Sequence, residues 1–511
     1  MAMHPKTELN ADAGTASSAA ADTGPAASAA ADAGTAASVG ADAAVAPAPG
    51  PPPEHLSGDD RVAIGRAQAE AVPVDQIGDP PPRKQRPNIV EVLLQESQGR
   101  IPDLVPLRHG RMAANPFATL RGSASIMAAD LASRDSTDLI VQLCGDAHLG
   151  NFGLYASPER SLVFDVNDFD ETHPGPFEWD VLRLATSFVT CVRTQGDPDK
   201  AASLARKVAA CYQKAMHDLA EKSTVEMLYE RTTAEDIEAL AKESDSSAPA
   251  KEAAAVLDKA RRRTQERAIS RLTEDVDGGR RFKTTPPVLV RAEDASVREN
   301  FQTEYAAFIE TLPVECQAIA RRYAVIDFAM KVVGVGSVGT YCWVVLLEGR
   351  DATDQIILQM KQATPSVLAP YVKNVGSLPT FAHEGERIVR GQKIMQAVSD
   401  LFLGWVDGLP GTNRQYYGRQ LHDMKGSFDV ETASFATLDI YADICARTLA
   451  QAHARSGDPV AIAAYLDKDD SFADAVEVFA VAESHFVESD HKLIVEAIKA
   501  GDLQAVDVDD A

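Results

Sequence analysis

The stretch FAMKVVGVGSVGTYCWVVLLEGRDATDQIILQMKQA (328–363) limits the possible folds more than any other part of the chain. It is dense in valine, isoleucine and aromatic residues, which fit a pleated surface. Its glycines and the polar turn GRDATD break it into three pieces, so three consecutive antiparallel strands are predicted. Elsewhere the apolar residues recur at helical spacing, as in NPFATLRGSASIMAADLAS (115–133), FEWDVLRLATSFVTCVRT (177–194) and DKAASLARKVAACYQKAMHDLAEKS (199–223). Strands in one block and helices in others predict an α+β chain. A small antiparallel sheet is expected over about 326–430, with a larger helical part built from about 91–325 and 431–511.

Residues 1–90 have a different texture. Near-repeats such as ADAGTASSAAADTG, followed by APAPGPPP, offer few large apolar side chains to offset the entropy of ordering, which predicts a disordered Ala/Pro/Gly-rich tail. The formal net charge of -25 argues against a nucleic-acid or anionic-membrane partner. No apolar run approaches the roughly 18 residues of a membrane helix. The six cysteines are widely spaced, without a CxxC pair, as expected for a reducing cytoplasm.

Two groups of residues carry chemistry. Gly334, Gly336 and Gly339, with Ser337 among them, form GxGxxG. A dinucleotide fold would need a helix directly after these glycines, but TYCWVVLLEG follows and reads as a strand. Strand, glycine loop and strand is instead the arrangement of a flap over nucleotide phosphates, and Lys361 on the next predicted strand is the cation such a flap requires. The second group is GDAHLGNF (145–152) after the apolar run DLIVQL, followed by VNDFDE (166–171). Phosphoryl transfer needs a carboxylate to orient the attacking hydroxyl and oxygen ligands for Mg²⁺. Asp146 suits the first task. Asn151 and Asp168 suit the second, with Asp165 and Asp170 as alternatives to Asp168.

GDAHLGNFG followed by FDVNDFDET resembles the HGDxHxxN and IDFD motifs of aminoglycoside and choline phosphotransferases, which have the protein-kinase fold; Cys144 stands where that pattern has histidine. From RHGRMAANPFATLRG through KVVGVGSVG and RQLHDMKGS to LAQAHARSGD, roughly residues 91–490, the chain also resembles the uncharacterised bacterial family DUF2252. The phosphotransferase resemblance implies a two-lobed kinase-like fold in circularly permuted order, because the glycine flap and its lysine come after the catalytic motifs. It implies ATP and Mg²⁺ between the lobes, with a small-molecule hydroxyl or amine as acceptor. In the same scheme a helix glutamate pairs with Lys361, and Glu386, beside Ile388 and Val389, is the better candidate than Glu384. Arg419, Asp423 and Lys425 would fall at the hinge. Asp180 would anchor the catalytic loop and His148 would orient it. Arg111 and Arg121 would meet phosphate or pair with an aspartate.

Two other readings compete. A catalytically silent nucleotide-binding or scaffold protein could keep the same fold. A metallophosphoesterase would read GDAH as its first motif, with Asp146 and His148 as ligands, although the GNH that should follow is GNF here.

Overall fold

The computed structural model describes residues 55–506, apart from 83–85, 277–278, 293–294, 409–411 and 422–423. The described residues from Leu56 onward form one unit. Strands β1 (Ile140–Leu143), β2 (Phe152–Ala156), β3 (Leu162–Val166), β4 (His173–Pro176) and β5 (Thr232–Thr233) make two small sheets, β1 with β4 and β2 with β3 and β5. Strands β6 (Thr273–Val276) and β7 (Gly279–Phe282) pair with each other. Strands β8 (Leu289–Arg291), β9 (Ala324–Lys331), β10 (Cys342–Glu348), β11 (Gln355–Ala363), β12 (Gly404–Asp407) and β13 (Gln415–Gln420) form one antiparallel sheet, in the order β12-β13-β11-β10-β9-β8. The three strands predicted over 328–363 are β9, β10 and β11. The α+β class holds, with β8 adding to the sheet an edge strand that lies before the expected boundary near 326.

The period-two alternation of a strand decides what each face of this sheet meets. Val345 and Leu347 of β10, with Leu358 and Met360 of β11, pack against Phe308 and Ile309 of the helix Ala295–Thr311. Val344, Leu346 and Ile357 pack on the other face with Ile269 and Leu272 of the helix Gln265–Leu272. Lys361 has the parity of Ile357 and Gln359. The alternation therefore carries it away from the helix Ala295–Thr311, and it enters the cleft between the sheet and the helical part.

That helical part is built around Phe177–Thr194, whose residues 177–192 are all buried. The helices Pro198–Ala220, Phe435–Ala454 and Ser471–Ala500 surround it and share its apolar core with β1, β2 and β3. No helix among the described residues is long and apolar enough to cross a membrane.

The expected tail over 1–90 is corrected in part. Residues 1–54 and 83–85 lie outside the described residues, but Gly58–Ala71 is a helix with a capping box between Ser57 and Asp60. Arg61 pairs with Asp458 at the start of the helix Pro459–Leu466. Low apolar content did not prevent docking here, because small residues allow a close approach. A Cβ on Gly65 would run into the carbonyl oxygen of Ala461 and stand 2.8 Å from the Cβ of Ala464. Replacing a helical glycine by alanine ordinarily stabilises by about 0.5–1 kcal/mol. Gly65→Ala is expected to do the reverse and cost about 1–3 kcal/mol through overpacking. The midpoint of urea unfolding checks this, and a stabilised variant would contradict the docking of Gly58–Ala71.

Candidate functional site

The polar run after β1 is held by buried groups on two helices. Asp180, in the first turn of Phe177–Thr194, accepts hydrogen bonds from the backbone N–H of Cys144 at 2.6 Å and of Gly145 at 3.1 Å. The Nε2 of buried His453 lies 3.3 Å from the same carboxylate, and its Nδ1 is 2.9 Å from the hydroxyl of Tyr212. Two turns beyond Asp180 on Phe177–Thr194, Ser187 Oγ accepts from the N–H of Leu149 at 2.9 Å. Asp180 therefore anchors the loop. His148 orients it: its Nδ1 accepts from the N–H of Gly150 at 3.1 Å, and burial pushes its pKa down to about 4.

Within this loop Asp146 Oδ1 accepts two bonds from Arg183, at 2.9 Å from Nε and 2.7 Å from Nη2. Arg183 is itself buried and also donates to the carbonyl of Leu120 at 2.7 Å. Both bonds fall on one oxygen, so the pairing pins Oδ1 with charge-assisted hydrogen bonds. Asn151 ties this segment to the next one, donating from Nδ2 to the carbonyls of Asp146 at 3.0 Å and Asp168 at 3.1 Å.

Beyond the end of β3, Asp168 and Asp170 meet Lys361. The ammonium lies 3.3 Å from each oxygen of Asp168 and 2.6 Å from Asp170 Oδ2. Tyr417 on β13 donates to Asp170 Oδ1 at 2.7 Å, and Ser337 of the glycine loop donates to Oδ2 at 3.3 Å. Burial alone would push the Lys361 ammonium down, but Asp168 and Asp170 outweigh it and hold it well above the ordinary lysine value. For Asp168, burial works against ionisation; Lys361, Arg419 and Lys425 outweigh it, so its pKa lies below the ordinary carboxylate value. Burial, then the neighbouring Arg419, pushes Lys425 down to about 7. Asp165 takes no part, since its Oδ2 accepts from the N–H of Ala397 at 3.3 Å.

The glycine loop joins β9 to β10, so strand, loop and strand is the observed arrangement. Gly334 and Gly339 have φ of 71° and 88°, a backbone region open to glycine at little cost. Two arginines brace the loop from outside. Arg111 donates to the carbonyl of Gly334 at 2.7 Å, and Arg100 to those of Gly336 at 2.7 Å and Val338 at 2.6 Å.

Glu386 is not brought to Lys361. Its carboxylate lies 3.4 Å from Nε of Arg390 on the same helix, Glu384–Met395, while Glu384 pairs with Arg387 at 2.5 Å. The residue this helix sends inward is Arg387, which donates to the carbonyls of Thr172 at 2.5 Å, Thr364 at 2.7 Å and Asp170 at 3.0 Å. Three bare carbonyls need donors, and the neighbouring position supplies them. Tyr417, Arg183, Arg387 and Arg100 were not singled out from sequence. Arg183 had a signal, a cation inside the apolar run VLRLA. Of the three hinge candidates, Arg419 reaches the cleft, donating to the carbonyl of Asn167 at 2.8 Å; Lys425 lines it, and Asp423 lies outside the described residues.

Two chambers meet at this centre. One, of about 570 Å³, is lined by Arg111, Lys331, Lys361, Arg419 and Lys425, with Asp168 and Asp400 as its acids. The other, of about 440 Å³, contains Asp146, His148 and Asn151. Asn167, Asp168, Gly334, Ser337 and Lys425 line both. The cationic chamber is a local exception in a chain of net charge -25, and it suits an anion.

Removing one partner of a buried ion pair strands the other. Lys361→Met is therefore expected to destabilise the protein by about 3–5 kcal/mol, whereas Glu386→Gln stays within about 0.5 kcal/mol of the parent. Urea unfolding of the two variants side by side checks the assignment, and equal losses would contradict it.

No curated protein and no solved structure matches the chain. Residues 100–497, most of the chain, match a family described as an uncharacterized protein conserved in bacteria, DUF2252, and the protein belongs to that family.

Proposed function

We propose that the cleft is a phosphotransferase site which uses ATP with Mg²⁺ and acts on a hydroxyl or amine of a small acceptor. In this reading the six-stranded sheet and the helical part are the two lobes of a kinase-like arrangement in circularly permuted order. The observation that carries it is the meeting of Lys361 with Asp170, 191 residues apart in sequence, on the wall between a cationic chamber and one holding Asp146. A sheet lysine, a glycine loop and an acidic pair after a strand are the parts that phosphoryl transfer requires in one place.

The residues fit the cofactor. Among the described residues no group of three or more His, Cys, Asp and Glu side chains could hold a metal by itself. Mg²⁺ does not need such a cage, being held by one or two carboxylates together with substrate phosphates. Asp168 would hold it with the amide oxygen of Asn151, and Asp170 is the adjacent carboxylate. Lys361 and the glycine loop at Gly334, Gly336, Ser337 and Gly339 would bind the phosphates. When bound, ATP supplies the phosphoryl group and Mg²⁺ neutralises its charge.

The chain's own contribution is positioning and charge. Arg183 occupies Asp146 Oδ1 and so leaves Oδ2 as the atom that receives the acceptor's proton. Asp180 and Asn151 fix that loop against the acidic pair. A two-metal hydrolase fits less well, because the aspartate it would use as a ligand already faces the buried Arg183 guanidinium.

Asp146→Asn is expected to lower Mg²⁺-dependent ATP consumption by about 10²–10⁴-fold while ATP still binds. The assay follows phosphorus NMR of ATP incubated with a pool of small hydroxyl and amine compounds. Turnover in the variant equal to that of the parent would overturn the reading.

A further inference from the structure

The chamber that contains Asp146 also collects three arginines, Arg100, Arg108 and Arg121. Arg108 is only 1% exposed. Its Nη2 donates to Glu96 at 2.6 Å and to the carbonyl of Gly122 at 3.0 Å, but its Nε and Nη1 are buried without a hydrogen-bond partner. The Nε atoms of Arg100 and Arg121 are likewise buried and unpartnered. Buried donors left unpaired are costly, and more so when they are charged.

Most of the carboxylates nearby already have partners; Glu171, which also lines the chamber, accepts from the N–H of Val367 at 2.7 Å, and burial pushes its pKa up to about 7. Glu96 is shared between Arg108 and Ser125, whose Oγ donates to it at 2.6 Å. Asp146 is committed to Arg183, and Asp168 and Asp170 to Lys361. The nearest carboxylate to Arg121 is Glu431, at 3.9 Å, and its guanidinium lies 5.7 Å from the centre of the Phe117 ring. Burial, then the neighbouring Arg108, pushes Arg100 down to about 10, against the opposing pull of Glu96 and Glu171. Planar guanidinium forks match the oxygens of a phosphate or carboxylate.

We infer that this chamber receives an acceptor carrying an oxyanion, a phosphate monoester or a carboxylate, held by Arg100, Arg108 and Arg121 while its hydroxyl or amine faces Asp146. The word acceptor rests on the phosphotransferase reading; the anion site does not. Because Arg100 also holds the carbonyls of Gly336 and Val338, an anion bound there would bear on the glycine loop.

The test is calorimetric titration of the full chain with glycerol 3-phosphate, glycerate and glycerol, with and without saturating Mg·ADP to fill the cationic chamber. Arg121→Gln, whose side chain is partly exposed, and Arg419→Gln, from the cationic chamber, are run alongside. The expected result is binding of one or both anions but not of glycerol. Arg121→Gln weakens that binding by about tenfold or more, and Arg419→Gln has no such effect in the presence of Mg·ADP. Preference for glycerol 3-phosphate identifies a phosphate, and preference for glycerate a carboxylate. If Mg·ADP binds but neither anion exceeds glycerol, or the loss follows Arg419→Gln alone, the inference fails and the nucleotide reading stands. If Mg·ADP does not bind but anion binding still depends on Arg121, the anion site stands and the nucleotide reading fails.

Discussion

The contact between Lys361 and the carboxylates of Asp168 and Asp170 is the one on which the remaining structure turns. A lysine as deeply buried as Lys361 could not stay charged without an acidic partner. The carboxylates in turn could not crowd together without the cation. The pair therefore forces β11 against the segment that follows β3, and so closes the six-stranded sheet onto the helical part. Tyr417 from β13 and Ser337 from the glycine loop donate to the same Asp170, so three separate pieces of chain converge on one carboxylate pair. Ion pairs of this kind add little net stability over an apolar replacement, since desolvation consumes most of the Coulombic gain. Their retention in a cleft wall is better explained by what they present to the chambers on either side.

Around that contact, the two halves of the site are held by different means. The loop with Asp146 is nailed from beneath by buried side chains of Phe177–Thr194, chiefly Asp180, Arg183 and Ser187. The glycine loop is braced from outside by Arg100 and Arg111, which belong to the part of the chain before β1. Chain order places the loop with Asp146 before the sheet. Such an order is compatible with a kinase-like arrangement when the altered connections run over the surface.

Much of this was legible in the sequence because it rests on local pattern. The β-rich run 328–363 placed Lys361 on the strand that follows the one after the glycine loop, and glycines separated by valines marked the loop between β9 and β10. The polar run after DLIVQL singled out Asp146 and Asn151, VNDFDE singled out Asp168, and Asp180 was expected as the anchor of that loop. What was illegible depended on distant partners. Glu386 and Arg387 are adjacent on one helix, and apolar spacing cannot say which of them turns inward; the carbonyls of Asp170, Thr172 and Thr364 decide it. The helix Gly58–Ala71 was hidden by its small residues, although SGDD carries a capping signal. The arginines of the second chamber are spread over separate segments and meet only in the folded chain.

The central claim is that the segments around Asp146 to Asp168 and around Gly334 to Lys361 form one nucleotide site. Hydrogen–deuterium exchange of the full chain with and without Mg·ATP tests this most directly, because bound ligand lowers the population of locally opened states. Joint slowing of exchange at 144–151, 167–170 and 334–340 is the predicted result. Protection at one segment alone, or at none, would contradict the account.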